Sequence, residues 1–330
     1  MSRRLAGLCA FLLLLPAGSA EAHHGIASLG VAGLEGPGAP IEMSSSVTLP
    51  RHSLLISLKQ DYARFERFTP ERDDESLYSS FWMIGLGYGF TSYFSAYVFL
   101  PHNTKVLEDN SFDTSGFADM SLVGALGFKY DEGLRLTPEN ESLDDWEDWH
   151  FSLYGGMSFP TGDANIWNPE DTEIDPGMSL GFGNPSFLTG LTVTKLFRDR
   201  FTFIGEASYI HFLEYEYDDG SRTQFGGELR LNSALVYRLF SLWGPKLRLD
   251  ANLEVAYLRL GRDKLYGKGE EATGGQMLYV LPGLRGYWRN FSLAFGVKVP
   301  TWTDLNEEDD QQGGEGKERY RLVATLSVLF

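Results

Sequence analysis

Two adjacent histidines, His23 and His24, are the first residues of the chain that could do chemistry. They follow the stretch Ala-Glu-Ala at residues 20–22, which is typical of a signal-peptidase cleavage site. Cleavage after residue 22 would place a free amine and an imidazole on His23, with a second imidazole beside them. Such nitrogen donors suit Cu(II) or Ni(II). One hypothesis is therefore a copper or nickel site at the mature N-terminus, and the simpler interpretation is a terminus that happens to contain two histidines.

Two Ser–His pairs, His150 with Ser152 and Ser208 with His211, are candidates for nucleophilic catalysis. A spacing of three residues places the second pair on opposite faces of a regular strand. Neither pair has an identifiable carboxylate to orient the histidine, as a catalytic triad requires. The sequence also contains no Walker motif, zinc-type Cys/His array or dinucleotide fingerprint. These observations predict that the protein is not an enzyme.

A larger set of ionisable residues alternates with apolar residues, as in KLRLDANLEVAYL at residues 246–258. Alternation with a period of two predicts strands that have one polar and one apolar face. If the polar faces point into a barrel, the lumen-lining residues are Asp61, Asp119, Glu228, Arg230, Arg238, Arg248, Asp250, Glu254, Arg319 and Arg321, with Lys59 and Lys298 on the same faces. Their mixed charges can either brace the barrel through ion pairs or form a charge-selective pathway.

The elements that would position these residues are about twelve alternating segments, most of them ten or more residues long. They are centred on residues 53–65, 78–90, 92–100, 118–130, 150–160, 186–197, 201–213, 223–237, 246–259, 276–287, 290–300 and 319–330. Strands in soluble proteins are usually shorter, whereas this length fits a tilted crossing of a bilayer. Aromatic residues also gather at the strand ends, as in the girdles of outer-membrane barrels.

The connections between the segments alternate between tight turns and long, acidic, glycine-rich loops. This pattern is typical of a meander barrel with short periplasmic turns and long outer loops. One long connection after the fourth segment departs from it, so ten or fourteen strands remain alternatives. The last segment, RYRLVATLSVLF at residues 319–330, alternates up to the terminal Phe330, and we expect it to close the barrel by pairing with the first segment.

We therefore predict an all-β, transmembrane, antiparallel meander barrel of about twelve strands. Residues 1–22 form a signal peptide, residues 23–52 a mature N-terminal segment and residues 53–330 the barrel. The N-terminal segment is rich in Gly, Ala, Ser and Pro and shows no sustained strand or helix period. It is too apolar for a solvated linker, so we expect it to enter the barrel as a plug, with periplasmic disorder as the alternative.

Four blocks of the sequence carry a resemblance to a known family: PHNTK, SGFADMSLVGALGFKY, SFPTGD and GFGNPSFLTGLTVTK. They resemble blocks of Gram-negative outer-membrane transporters of the meta-pathway of phenol degradation type, a family loosely similar to the long-chain fatty acid channel group. The resemblance covers most of the chain after about residue 45. It implies an outer-membrane barrel with a transport role and a hydrophobic or aromatic solute.

The expected partners follow from composition and location. A net charge of −17 disfavours nucleic acid, which attracts clustered Lys and Arg. Outer-membrane lipids and lipopolysaccharide would surround the barrel, and the terminal aromatic resembles the signal read by the barrel assembly machinery. The function predicted is passive passage of a small solute across the outer membrane of a Gram-negative bacterium, without a cofactor. The alternative is a non-conducting metal-binding or structural envelope barrel.

Overall fold

The computed structural model describes residues 36–66, 76–107, 112–139, 141, 143–169, 174–198, 200–306 and 318–330. The strands in these ranges are β1 (Leu54–Phe65), β2 (Ser76–Thr91), β3 (Phe94–Leu107), β4 (Asp113–Phe117), β5 (Met120–Tyr130), β6 (Leu134–Leu136), β7 (Trp149–Phe159), β8 (Ser186–Phe197), β9 (Phe201–Phe212), β10 (Tyr215–Glu216), β11 (Arg222–Gln224), β12 (Glu228–Leu242), β13 (Leu247–Leu260), β14 (Lys264–Leu265), β15 (Lys268–Gly269), β16 (Gly275–Trp288), β17 (Phe291–Leu305) and β18 (Glu318–Leu329). A short helix, α1 (Leu143–Trp146), lies between β6 and β7. None of the described residues forms a helix that is long and apolar enough to cross a membrane.

The long strands form one closed antiparallel barrel. Each strand pairs with its neighbours along the chain, and β4 and β5 are two parts of one wall strand because both pair with β3. Counted in this way, the wall has twelve strands, and the ring closes where β1 pairs with β18. The prediction of a twelve-stranded meander barrel is thus confirmed.

The terminal strand is held at its very end. The Leu54 amide donates to the Phe330 carbonyl at 3.0 Å, and the Phe330 amide donates back to the Leu54 carbonyl at 2.8 Å. On its other edge β18 pairs with β17. Neither edge of the last strand is therefore free, since barrel closure removes sheet edges.

The outer face of the wall is apolar and the inner face is more polar. On β1, Leu54, Ile56 and Leu58 point outward and are 40%, 37% and 46% exposed, whereas Ser57 and Asp61 belong to the inward-facing positions and are buried. Aromatic rings lie exposed near the strand ends, including those of Phe90, Tyr130, Trp149, Trp243, Trp288 and Phe330. An apolar exterior flanked by aromatic rings is the surface of a barrel embedded in a lipid bilayer.

The two ends of the barrel differ in their connections. One end, here called the base, carries the start of β1, the end of β18 and the tight turns after β2, β8, β12 and β16. The long connection after β5 also lies there, and its described residues form β6 and α1 but no further wall strand. The opposite end, here called the loop end, carries a small sheet of strands β10, β11, β14 and β15.

Candidate functional site in the barrel lumen

The base half of the lumen is occupied by the chain itself. Residues 36–50, here called the lumenal segment, run inside the wall, and nearly all of them are buried. Their alternate residues Ala39, Ile41, Met43, Val47 and Leu49 are 0–8% exposed. Each of the last four contributes to a different apolar cluster around the wall. The segment is therefore an extended chain with a period of two, a pattern that the sequence analysis missed.

The four clusters place the segment against most of the circumference. Leu49 packs on β1 and β3, Val47 on β8 and α1, Met43 on β9 and β12, and Ile41 on β16, β17 and β18. A chain that contacts so many strands crosses the lumen instead of following one wall. The plug role of residues 23–52, that is, blockage of the lumen, stays a prediction. Residues 23–35 lie outside the described part of the chain.

Wall side chains supply hydrogen-bond partners for the backbone of the lumenal segment. The amides of Gly38, Ser46 and Leu49 donate to hydroxyl groups of Thr202, Thr194 and Ser95 at 2.7, 3.1 and 2.8 Å. Because the segment pairs with no strand, its buried amides need such partners. The Ser and Thr residues of the inner face thus replace a sheet ladder.

Glu254 on β13 holds the middle of the segment. Its carboxylate accepts the amides of Ile41, Glu42 and Met43, the last at 3.3 Å. Below it, Arg248 forms a two-point ion pair with Asp250 at 2.7 Å and donates to the Gly36 carbonyl at 2.8 Å. Arg248 and Asp250 are 1% and 0% exposed, so this pair is part of the packed base and not of an open passage.

Two glycines in the wall make room for the segment. A side chain at Gly89 would meet the Pro50 carbonyl oxygen at 2.0 Å, and one at Gly283 would meet Ile41 Cδ1 at 2.4 Å. Real Cβ atoms do not approach other atoms so closely, so these positions need glycine. The wall and the lumenal segment therefore have complementary shapes.

The long connection at the base closes around the segment. Trp146 of α1 packs on Val47 and Leu196, and its ring stacks on His150 with centroids 5.2 Å apart. The His150 Nε2 lies 2.8 Å from Glu141 Oε1, and both side chains are 3% exposed. The sequence analysis expected a short turn at this position, and packing against the lumenal segment explains why the connection is long.

Above the segment lies a charged cavity of about 650 Å³, here called the chamber. Its walls include Glu42 of the segment and the wall residues Lys59, Asp61, Tyr154, Glu206, Glu228, Arg230, Glu254, Tyr279, Lys298, Glu318 and Arg321. Several of these charges form ion pairs: Lys298 with Glu42 at 2.9 Å, Lys59 with Asp61 at 3.1 Å and Arg230 with Glu228 at 2.6 Å. A chamber lined in this way can hold a polar group away from bulk water.

Towards the loop end lies a second cavity of about 1320 Å³, here called the vestibule. Its walls include the large apolar residues Phe81, Pro101, Leu107, Phe112, Val123, Met157, Phe182, Leu188, Ile210 and Phe225, and the charged residues Lys105, Asp119, Asp175, Asp219, Asp263 and Glu270. Phe81, Asn103, Lys105, Phe182 and Leu188 line both cavities, so the vestibule and the chamber adjoin. Together the two cavities occupy the lumen between the loop end and the lumenal segment.

An inward-folded part of the loop between β7 and β8 narrows the vestibule. Lys105 Nζ donates to the carbonyls of Gly177 and Ser179 at 2.7 Å each. Asp119 accepts the amides of Gly162 and Phe182 at 2.9 Å each. Polar contacts therefore bind this loop to the wall, whereas its apolar residues Ala164 and Ile174 pack on Tyr217 of another loop.

The predicted lumen-lining residues divide into three groups by position. Those at the chamber are Asp61, Glu228, Arg230, Glu254 and Arg321, and Asp119 lies at the vestibule. Those at the base, beneath the chamber, are Arg238, Arg248 and Asp250; the two arginines both donate to the Gly36 carbonyl.

The remaining predicted lumen-lining residue, Arg319, lies at neither cavity. It is exposed, while its neighbour Glu318 is buried and pairs with Arg321. The register of β1 and β18 shifts between Arg64 and Phe65, and Glu318 lies opposite Phe65. This irregularity interrupts the simple alternation that assigned Arg319 to the lumen.

The structure corrects one observation on the Ser–His candidates, because His150 does have a carboxylate partner, Glu141. Glu141 precedes His150 by nine residues in an irregular connection, so no strand pattern indicated it. The Ser152 hydroxyl lies 2.7 Å from Thr192 Oγ1. Ser208 is buried and His211 is exposed, as their spacing of three residues predicts. Within the described ranges no group of three metal-ligating side chains is found, and His23 and His24 lie outside those ranges.

Sequence reasoning missed several residues of the chamber, including Glu42, Tyr154, Glu206 and Glu318. Glu206 could have been found by parity, because it follows Thr202 and Ile204 on the inner face of β9. The alternation of apolar residues between positions 39 and 49 would likewise have indicated that one side of this segment packs against a wall. Glu42 was hidden because its partners lie far away in sequence, Lys298 being 256 residues distant.

Comparisons with known proteins agree with this architecture. A sequence model of the family described as "Putative MetA-pathway of phenol degradation" matches residues 74–299, a range that includes the four blocks of the sequence resemblance. No curated protein sequence matches the chain. The COG4313 outer membrane channel from Pseudomonas putida F1 has a similar fold, with a TM-score of 0.65 and 12% identity over 86% of this chain and 98% of that one. The NanC porin aligns with a TM-score of 0.48 and 7% identity over 83% of this chain and 98% of that one.

Proposed function

The chain belongs to the family described as "Putative MetA-pathway of phenol degradation", and from this premise we propose that it is an outer-membrane channel for passive passage of a small apolar or aromatic solute. The observation that carries the proposal is the pair of adjoining cavities, the vestibule with its many large apolar residues and the charged chamber, inside a closed barrel. The similar fold from Pseudomonas putida is described as an outer membrane channel, which supports the same role. In this arrangement the base faces the periplasm and the loop end faces outward.

The lumenal segment is the plug of this channel. Its contacts with β1, β3, β8, β9, β12 and β16–β18 close the lumen below the chamber. A polar ligand that reaches the chamber therefore meets the segment before it reaches the base. Passage through the base requires that part of residues 36–50 moves.

Single-channel conductance in planar bilayers tests this function. The mature protein is compared with a variant that lacks residues 23–45, after heat-dependent gel mobility has shown that both barrels are folded. We expect small or rare openings for the mature protein and larger steps for the deletion variant. Equal conductance in both would contradict the plug, and silence in both would contradict the channel.

A reversible crosslink provides the matched control. A side chain added at Gly38 would lie 2.9 Å from Val236 Cβ, so the double variant Gly38→Cys/Val236→Cys should form a disulfide after slight adjustment. The crosslink fixes the segment to β12. We expect openings to decrease under oxidising conditions and to return after reduction. The single variants should respond to neither treatment.

The close fit of the lumenal segment favours one alternative, a non-conducting structural or metal-binding barrel. Silence of the folded deletion variant would support it. Addition of Cu(II) to the mature protein tests its metal-binding form at His23 and His24. Copper should change conductance or bind tightly only when residues 23–24 are present.

A further inference from the structure

Three cations face one carboxylate of the lumenal segment. Lys59 lies on β1, Arg321 on β18 and Lys298 on β17, which are neighbouring strands of the chamber wall. Lys298 Nζ is 2.9 Å from Glu42 Oε1, and Lys59 and Arg321 line the same chamber as Glu42. Glu42 is thus bound like a ligand within a basic cluster.

Lys298 differs from the other two cations in its ion-pair partner. Lys59 pairs with the wall residue Asp61 at 3.1 Å, and Arg321 pairs with the wall residues Glu318 and, at 3.8 Å, Asp61. The ion pair of Lys298 is made to Glu42 of the lumenal segment. If the Glu42 side chain left, Lys298 would lose this partner in a partly buried site, where an unpaired charge is costly.

The Glu42 side chain is replaceable without loss of the segment. Its backbone amide is held separately by Glu254 at 3.2 Å, together with the amides of Ile41 and Met43. The side chain is 21% exposed, and those of Lys59, Lys298 and Arg321 are 17%, 12% and 24% exposed. The adjoining chamber therefore gives a solute access to the same cations.

We propose that Lys59, Lys298 and Arg321 form a binding site for the carboxylate of an amphipathic organic acid, and that Glu42 occupies this site at rest. The acid displaces the Glu42 side chain, and its apolar body extends towards the vestibule. The proposal rests on the proposed channel function, because it names the class of solute that the channel admits.

Carboxylates of the vestibule raise the opposite possibility, an organic cation. However, four of the five vestibule carboxylates accept loop amides: Asp119 accepts two, and Asp175, Asp219 and Asp263 accept those of Gly177, Ile174 and Gly226. Amide donors offset part of their charge and fix their positions. Glu42 differs, because its side-chain partner is a wall cation and not a loop amide.

Calorimetric titration of the folded protein in detergent tests the site without requiring any conductance. The probes share one aromatic body and differ in the head group: phenylacetate, phenethyl alcohol and phenethylamine. A tethered carboxylate competes at a high effective concentration. We therefore expect Glu42→Gln to strengthen phenylacetate binding about tenfold or more and to leave the alcohol unchanged.

Two further variants complete the design. Lys298→Gln should weaken phenylacetate binding at least tenfold relative to its effect on the alcohol. Glu216→Gln removes an exposed carboxylate that pairs with Arg222 at the loop end, and should change nothing. If Lys298→Gln does not fold, Lys59→Gln replaces it.

Tighter binding of the amine than of the acid in Glu42→Gln, or equal binding of acid and alcohol, would overturn the proposal. Its failure is distinct from failure of the channel. A conducting barrel without preference for the acid would refute only the carboxylate site, whereas a silent barrel that binds phenylacetate through Lys298 would refute only the channel.

Discussion

The base half and the loop-end half of the lumen are filled by chain segments that are held in different ways. The lumenal segment at the base is held by four apolar clusters, by wall hydroxyl groups and by Glu254. The inward loop near the vestibule is bound to the wall by Lys105 and Asp119, beside a cavity of about 1320 Å³, and its Ala164 and Ile174 pack on Tyr217 of another loop. Because four apolar clusters join the lumenal segment to the wall, whereas the cluster of the inward loop is made with another loop, the base should act as part of the fold and the loop as a separable unit.

The largest expected effect is at Glu254. Glu254→Ala leaves three amides of the lumenal segment without an acceptor, and each buried unsatisfied amide costs about 1–3 kcal/mol. We expect the free energy of unfolding in urea to fall by at least about 3 kcal/mol and channel openings to become more frequent. Glu254→Gln, which keeps one acceptor oxygen, is the control and should show a smaller loss. Equal stability of Glu254→Ala and the unchanged protein would refute the difference drawn between the two halves.

Trp146 tests whether the base connection supports the segment. Trp146 is 4% exposed and packs on Val47 and Leu196. Its replacement by Ala creates a cavity, for which losses of about 3 kcal/mol are usual. Urea unfolding should show this loss, whereas the exposed Trp243→Ala, in a turn at the same end, should change the unfolding free energy little. A loss of less than about 1 kcal/mol in the free energy of unfolding would mean that the connection covers the base without stabilising the fold.

At the loop end, Lys105→Met should have a local effect. It removes two donors from the carbonyls of Gly177 and Ser179, each worth about 1 kcal/mol. Amide hydrogen exchange at Phe182, whose amide is bound by Asp119, should become faster while global unfolding stays nearly constant. Lys264→Met, in the small outer sheet, is the control. A large global loss for Lys105→Met would show that the two halves do not unfold separately.

The smallest effect should come from Asp219 in the loop between β10 and β11. Burial acts to raise the pKa of Asp219, but hydrogen bonds from Ser221 and Ile174 outweigh it and hold the pKa below its ordinary value of 3.8. A lowered pKa in the folded state means that the contribution to stability is present above pH 3.8 and is lost as pH falls through the folded pKa. The protection factor of the Ile174 amide, which is corrected for the pH dependence of intrinsic exchange, should therefore fall on acidification below that pH. Asp219→Asn should remove this pH dependence, and persistence of the dependence would show that another group causes it.

Much of the wall could be predicted from sequence because its two faces meet different solvents. A lipid-facing Leu58 and a lumen-facing Lys59 on adjacent positions give a clear alternation. The terminal Phe330 continued this pattern, and the strand count and closure followed from it. The rule weakened where the register shifts, at Phe65 and Glu318, and there it assigned Arg319 instead of Glu318.

The lumenal site was less predictable because the residues that form it lie far apart in the sequence. The lumenal segment alternates at residues 39, 41, 43, 47 and 49, but Ser45 interrupts the apolar series and Gly and Pro residues precede it. Its partners come from strands distributed over the whole chain, and no local pattern reports which wall residue will face Glu42. Charge could indicate that Lys59 and Lys298 point inward, but only the closed barrel places them beside the same carboxylate.

The seam between β1 and β18 has a consequence for the order of folding. The residues at this seam, Leu54 and Phe330, are among the first and last of the barrel, so the wall cannot close until the whole chain is present. The lumenal segment precedes β1 and touches strands at both sides of the seam. Its full set of contacts therefore exists only when β1 and β18 are side by side. Such contacts between distant parts of the chain slow folding, so we expect complete packing of the segment to be among the last steps of folding.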